Sequence, residues 1–505
     1  MASILVLNGC ADLDVGNTNA PDQSRALAKP EDVESLIKST FLSFWQGIHV
    51  TGGSFNPGVM ADANTSSWGN YGMRELSSEP RAAANNSPAW NYAYALEQPW
   101  YYWYGAISAA KDGLASLKAG QEGGKTFLAD AAADKRAEVF AKFIMGASNA
   151  MVAVYYDKGF YVDGSTDFSK TPELSDYNTL MASAITALKG VISDAEANAS
   201  VAIPEDWMQI AGLTMGDLAK ITHGLIARWT AGVARTAQER GAVNWADVKS
   251  HASKGKPFAP VGDGVYWWSR TQYYCGVSPS WGRADYKLIG PADKSGGYTS
   301  WLGTAVADRK AFTMTTDDKR LTGALGADGK QTQGLYAKNE YRTRLIASRG
   351  TYHQTFYVYN RNRDYAVDAG LQGPMYDLTQ SELDLLTAAT DAKAGASTDQ
   401  PNALDGSSLW SMLKYEAMLE NTLIHPFTGY MNRRGWGDLT KGTPTHLAIP
   451  GKELEILLME NYTFGGQADA GKPGTAGRIS NKGFRVRGFD IEFEKVTPLI
   501  DADLH

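Results

Sequence analysis

Apolar residues recur at spacings of three and four in one stretch of this chain after another, and that pattern constrains the fold more than any other feature. Val33, Leu36, Ile37, Phe41 and Phe44 share one helical face, and Pro30, Glu31 and Asp32 form a favourable first turn. Trp100, Trp103, Tyr104, Ile107 and Leu114 predict a helix of about 15 residues closing a long hairpin. Its partner runs from Arg136 to Tyr156, where Phe140, Phe143, Ile144, Ala147, Met151 and Val154 form a broad apolar face. Met181, Ile185, Leu188 and Ile192 repeat the pattern over 178–196. Thr214 and Asp217 have the spacing of a capping box, with Asp in place of Glu, ahead of Leu218, Ile221, Leu225, Trp229 and Val233. Trp245, Val248 and Ala252 continue on a short helix that Gly255 stops, a helix resumes over 366–384, and Leu409, Leu413 and Leu419 lie on another. The reading is a mainly α chain of stacked, tetratricopeptide-like helical hairpins with minor β structure, although no sequence repeat of about 34 residues is present.

Two regions, 50–95 and 256–365, lack a sustained period and are rich in Gly, Asn, Ser and aromatics; they read as long loops forming a large ligand-binding face. Residues 390–406 read as a polar linker, an irregular basic and aromatic stretch runs to Leu439, and Phe484–Arg487 with Asp490–Phe493 alternate as a β-hairpin. The chain has 14 Trp and 25 Tyr, and the loop regions hold many of them. A sugar ring has an apolar C–H face and a rim of hydroxyls, so a protein that binds it needs aromatic plates and nearby donors and acceptors, and no proton transfer. The first cluster is Trp68, Asn70, Tyr71 and Arg74, with Arg81, Trp90 and Tyr92 close behind. The second is Trp267, Trp268, Tyr273, Tyr274 and Trp281, together with Tyr266 and followed by Tyr298 and Trp301. Large aromatics are usually buried, so about a third of these are expected to be exposed. Adjacent Trp267 and Trp268 cannot both face one way in an extended chain. Trp100, Trp103 and Trp229 follow the helical period and belong to the core.

Charge and motifs narrow the function. A net charge of −7 over 505 residues, with no run of five Lys or Arg, argues against a nucleic-acid partner. The seven histidines are scattered without HExxH, and neither GxSxG nor a Walker motif occurs. No catalytic residue, metal ligand or cofactor is expected, although a pair of carboxylates suited to glycoside hydrolysis needs only spatial proximity. The arginine-rich stretch Arg342 to Arg363 reads first as an ion-paired structural segment in an acidic protein, and second as a contact for a partner protein or an anionic sugar. Cys10 and Cys275 are the only cysteines, so one disulfide is possible and a disulfide framework is not. No segment reaches about 18 uninterrupted apolar residues. At the N-terminus a short apolar run, Ile4 to Leu7, leads into Leu7-Asn8-Gly9-Cys10, which resembles a bacterial lipobox.

The order of these features resembles the SusD/RagB family of outer-membrane nutrient-binding lipoproteins. Five stretches carry the resemblance: Cys10 with the following Leu13-Asp14-Val15 and Asn17–Pro21; WYYWYGAISAAKDGL at 100–114; RAEVFAKFIMGASNAMVAVYYDKGFYVD at 136–163; the helices within 176–255; and the block from Tyr415 containing Arg433, Asp438, Leu439, Pro450, Glu453 and Leu454. Lys111 stands where the family has asparagine, and Ala417 where it has arginine between the acids Glu416 and Glu420; 390–406 occupies the place of a further helix. The resemblance implies residues 1–9 as a partial signal peptide, 10–30 as a tether lipidated at Cys10, 31–466 as a single domain, and 467–505 as a tail without a family counterpart. It also implies a lipid-anchored protein of the outer-membrane surface. Such a protein is not an enzyme; it captures oligosaccharides, or in some cases peptides, for a TonB-dependent SusC-like transporter. The competing readings are a secreted glycoside hydrolase and a SusD-like scaffold turned to surface assembly through an edge strand in the tail.

Overall fold

The computed structural model describes residues 29–66, 70–170, 172–277, 282–322, 372–388, 409–421 and 424–465, with Leu27 and the short strands 336–338, 357–359 and 477–478. Its scaffold helices are α1 (Pro30–His49), α2 (Tyr94–Gly120), α3 (Ala131–Tyr155), α4 (Tyr177–Glu196), α5 (Met215–Gly232), α6 (Trp245–Ala252), α7 (Gln380–Ala388), α8 (Leu409–Asn421) and α9 (Thr428–Trp436). Each packs on the next in chain order, and α9 returns to touch α5. The mainly α, stacked-helix reading holds.

Local chemistry explains where the helices begin. Asp130 caps α3 by accepting from the Ala133 N–H at 2.7 Å, and Asp176 caps α4 through Asn178 and Thr179. The capping box read at Thr214 and Asp217 is formed at α5, with both reciprocal bonds at 3.2 Å. Two glycines set the α1–α2 contact: a Cβ on Gly47 would lie 2.4 Å from the Trp103 ring, and one on Gly113 would lie 2.5 Å from Ile37. Helix α2 runs 27 residues rather than about 15. Its extra N-terminal turns are hard to read because Pro99 lies inside them and cannot donate to the Ala95 carbonyl. Gly53 approaches that oxygen so closely that a Cβ there would lie 2.3 Å away.

Helix α3 is apolar and long enough to cross a membrane, but 89% of its most apolar window is buried in the core. Its C-terminal carbonyls are capped by two buried arginines. Arg235 reaches Val154 O at 2.9 Å, and Arg434 bonds the same oxygen at 2.7 Å and Gly232 O at 2.8 Å.

Three expectations change. Residues 51–65 are interior chain rather than surface loop, folded into short turns (Gly52–Phe55, Asn56–Met60) whose few residues leave no period to read. The irregular stretch before Leu439 contains α9; its buried face includes Thr428, Gly429 and Arg434, which hides the helical pattern. The helix expected from 366 begins at Gln380, and Gln372–Pro374 is instead a strand paired with Val261–Asp263. The minor β structure also joins Asn64–Ser66 to Gly282–Ala284 and Ala83–Asn85 to Tyr462–Gly465, all antiparallel. Cys10, the 390–406 linker, the 484–493 hairpin and most of the stretch Arg342 to Arg363 lie outside the described residues.

A buried polar cluster ties distant parts together. His49 at the end of α1 bonds Asp377 through Nε2 at 2.8 Å and Ser269 through Nδ1 at 3.3 Å. Arg228 on α5 meets Asp377 at 2.7 Å and grips Glu382 of α7 through Nε and Nη2 at 2.7 and 2.6 Å. Burial would raise the Asp377 carboxyl, but His425, Arg228 and the His49 bond outweigh it and hold the group well below the ordinary carboxylate range. Burial, aided by Arg228, lowers His49 against the pull of Asp377, so its neutral ring donates from Nε2 and accepts the Ser269 hydroxyl at Nδ1.

Candidate functional site

The site begins at the tip of the 261–267 loop. There the Asp263 carboxylate accepts from the N–H groups of Val265, Tyr266 and Trp267 at 2.8, 2.9 and 2.8 Å. This tight turn throws Val265 and Tyr266 outward, 67% and 61% exposed. Trp267 turns inward against Phe41, ring centroids 5.9 Å apart and nearly parallel, and against Trp45 at 6.2 Å. Trp267 is therefore a core residue, which corrects its assignment as a ligand-binding residue. Trp268 faces the other way and stays partly exposed, as the alternation of neighbouring side chains requires.

Ser269 then caps the turn Arg270–Gln272, and a single wide helical turn over Tyr273–Val277 follows. Trp268, Tyr273 and Tyr274 stand edge to face, with centroids 6.2 Å (Trp268–Tyr273) and 4.8 Å (Tyr273–Tyr274) apart. Phe55 joins this group to the first cluster, 6.2 Å from Tyr274 and 6.4 Å from Tyr71. Tyr71 in turn meets Tyr94 at 5.5 Å, and Trp90, Tyr92 and Tyr94 continue the strip. Tyr71 holds φ 61°, a left-handed conformation unfavourable for a bulky side chain by roughly 1 kcal/mol or more. Its ring lies flat on Gly52, where a Cβ would be 2.0 Å from it. The packing thus fixes Tyr71 in a conformation the free chain would avoid.

Arg270 sits between the two groups. Its guanidinium lies 4.9 Å from the Trp268 ring and 5.4 Å from the Tyr71 ring, bonds the last carbonyl region of α1 at Val50 O (2.6 Å), and donates to Tyr71 OH at 3.2 Å. The two loop regions singled out in the sequence thus meet in one aromatic surface with a cation at its centre. Arg270, Tyr94 and Phe55 were missed by the sequence reading. Arg270 carried a signal, an arginine between Trp268 and Tyr273.

The other expected residues divide. Asn70 and Arg74 lie on the short turns Asn70–Gly72 and Met73–Ser77 beside Tyr71, with side chains outside the described set, as are Trp68 and Trp281 entirely. Arg81 is structural, bound to Asp62 at 2.7 Å and Thr443 at 2.8 Å. Tyr298 and Trp301 are buried with Tyr286 in a separate small core, against which the partly buried Phe312 packs. Cys275 is buried and free, and burial pushes its thiol up to about 12.

Two further features have the outline of a site but not its chemistry. Ser269, His49 and Asp377 have the connectivity of a hydrolytic triad, but all three are buried, the His49 ring is covered by Trp45 at 3.8 Å, and Asp377 is neutralised by Arg228. A cavity of about 470 Å³ lies between α2, α3 and α4, but its Asn149 and Asp163 spend their bonds on neighbouring backbone and on Ser165. Among the described residues no group of three or more His, Cys, Asp or Glu could hold a metal ion.

No protein-family model matches the sequence, and no curated protein is significantly similar to it. Solved structures are similar in fold. A SusD superfamily protein from Bacteroides vulgatus aligns at TM-score 0.52 with 11% identity, covering 86% of this chain and 98% of that one. A second from the same organism aligns at 0.50 with 12% identity, over 82% and 89%. The chain has the SusD/RagB-type fold. A SusD-like carbohydrate binding protein from Bacteroides fragilis aligns more loosely, at 0.47 with 13% identity over 81% and 87%. In this SusD-type fold the helices form the support, and the aromatic surface is built by the connections between α1 and α2 and after α6.

Proposed function

We propose that this chain is a non-enzymatic glycan-binding protein of the cell surface, held at the outer membrane by a lipid on Cys10, which captures oligosaccharides and passes them to a TonB-dependent SusC-like transporter. The observation that carries the glycan reading is the convergence of Trp268, Tyr273, Tyr274 and Tyr71 on one partly exposed surface around Arg270. Flat rings for C–H faces, with hydroxyl and guanidinium groups at their edges, are what a sugar ring requires. The surface and transporter parts of the reading rest on the ordered sequence stretches that resemble the SusD/RagB family.

The test is calorimetric titration of the full chain against a broad panel of oligosaccharides, with short peptides as a separate arm. At least one glycan is expected to bind, and Tyr273→Ala to weaken it about three- to tenfold, the equivalent of about 0.5–1.5 kcal/mol for an aromatic contact. A panel in which only peptides bind, or nothing does, would sink the glycan reading. Release of reducing ends from a polysaccharide would overturn the non-enzymatic part.

A further inference from the structure

We propose that Arg270 binds a carboxylate carried by the ligand, so that the captured glycan is an acidic one built with uronic-acid rings. This rests on the aromatic surface being the ligand site.

Arg81 pairs with Asp62, Arg228 with Asp377 and Glu382, Arg309 with Glu79, and Arg320 with Asp318, Glu416 and Glu420. Arg235 and Arg434 are sealed in the core on backbone carbonyls. Arg270 fits neither pattern. It is partly exposed, and among the described residues no carboxylate meets it. Its two bonds, to Val50 O and Tyr71 OH, use Nε and one Nη1 hydrogen, and Nη2 is neither bonded nor buried away from solvent.

The rings of Trp268 and Tyr71 flank the guanidinium, and its bonds to Val50 O and Tyr71 OH anchor it there. What it offers outward is an edge of N–H donors, the geometry that a planar carboxylate accepts through two parallel bonds. Because Arg270 already lies over Trp268, the neighbouring plates Tyr273 and Tyr274 take the sugar ring. A uronic acid carries its carboxylate at the ring's edge, so a ring stacked on those plates can turn that group toward Arg270. The protein as a whole is acidic, at −7, so the local cation rather than the global field must supply the attraction.

The experiment titrates the full chain with an oligogalacturonate and with the neutral galactan oligosaccharide of equal length, in low and high salt, alongside the sulfated form of the neutral sugar and an acidic peptide. Wild type is expected to prefer the uronate by about tenfold or more, and the preference to shrink in high salt. Arg270→Gln should bring the ratio close to one, by weakening the uronate about tenfold more than the neutral sugar. Arg270→Lys, which keeps the charge and loses the fork, should fall between. Equal affinity for both sugars in wild type, a ratio unchanged in Arg270→Gln, or tighter binding of the sulfated sugar or the peptide than of the uronate each overturns the proposal. If Arg270→Gln is unfolded by circular dichroism, the wild-type ratio and its salt dependence decide. Binding of the neutral sugar alone, weakened by Tyr273→Ala, would leave glycan capture standing and remove the acidic preference. Binding of neither sugar, with Tyr273→Ala silent toward every panel glycan, would remove both.

Discussion

Asp377 joins three parts of the chain that lie far apart in sequence. It receives His49 from 328 positions away and Arg228 from 149 positions away. Replacing it by Asn leaves Arg228 buried with one carboxylate fewer, and breaking a buried pair in this way costs about 3–5 kcal/mol. Urea unfolding of Asp377→Asn should show that loss, and a loss below about 1 kcal/mol would show the cluster to be dispensable. The pH dependence has a definite sign. A carboxyl whose folded pKa lies below its unfolded value of about 3.9 adds stability that is fully present above that value and is lost as pH falls below it. At the residue scale the sequence revealed less than it promised. Trp267 and Trp268 are chemically identical neighbours, and only the Asp263 turn decides which one is core. Trp100, Trp103 and Trp229 were legible as core because a helical period fixes direction, and loop residues have no such period.

Between elements, the α5–α6 contact carries a titratable pair. His223 and His251 face each other Nδ1 to Nδ1 at 2.7 Å. Glu196 at the end of α4 lies 3.8 Å from His223 Nε2, and Asp247 of α6 lies 3.7 Å from His251 Nε2. Burial, then His223 and the nearby Lys189 and Lys254, outweigh Asp247 and lower His251 to about 4; burial and Lys254 lower His223 against Glu196. A histidine lowered on folding is protonated first in the unfolded chain, so stability falls as pH drops from about 6.5 toward 4 and is unaffected above that window. Melting curves between pH 7 and 4.5 should show this fall, and His251→Gln should flatten it; an unchanged slope in the variant would remove the pair as its source. The helices themselves were mostly legible, down to the Thr214–Asp217 box. Those missed or misplaced were the ones whose buried faces carry Pro99, Glu382, Thr428 or Arg434, where proline or polar groups replace the apolar signal.

At the scale of the whole molecule, the fold was readable because its evidence is cumulative: a weak pattern in each helix becomes specific when many occur in order. The ligand surface was readable only in part, because its two halves, Tyr71 and Arg270, are 199 positions apart and only folding brings them together. The packing of α1 through α6 in chain order has a consequence for how the molecule reaches its native state. Contacts between consecutive helices close short loops and form early, whereas the His49–Asp377 bond must close a loop of 328 positions and forms late. Interactions absent from the transition state act on the unfolding rate. Asp377→Asn is therefore expected to accelerate unfolding by most of its stability loss and to leave the first refolding phase near its wild-type rate, as followed by stopped-flow tryptophan fluorescence. A refolding phase slowed in proportion would instead place that bond in the nucleus. The first result would tie the kinetic persistence of the folded protein, rather than its speed of folding, to a bond that joins its first helix to the segment just ahead of α7.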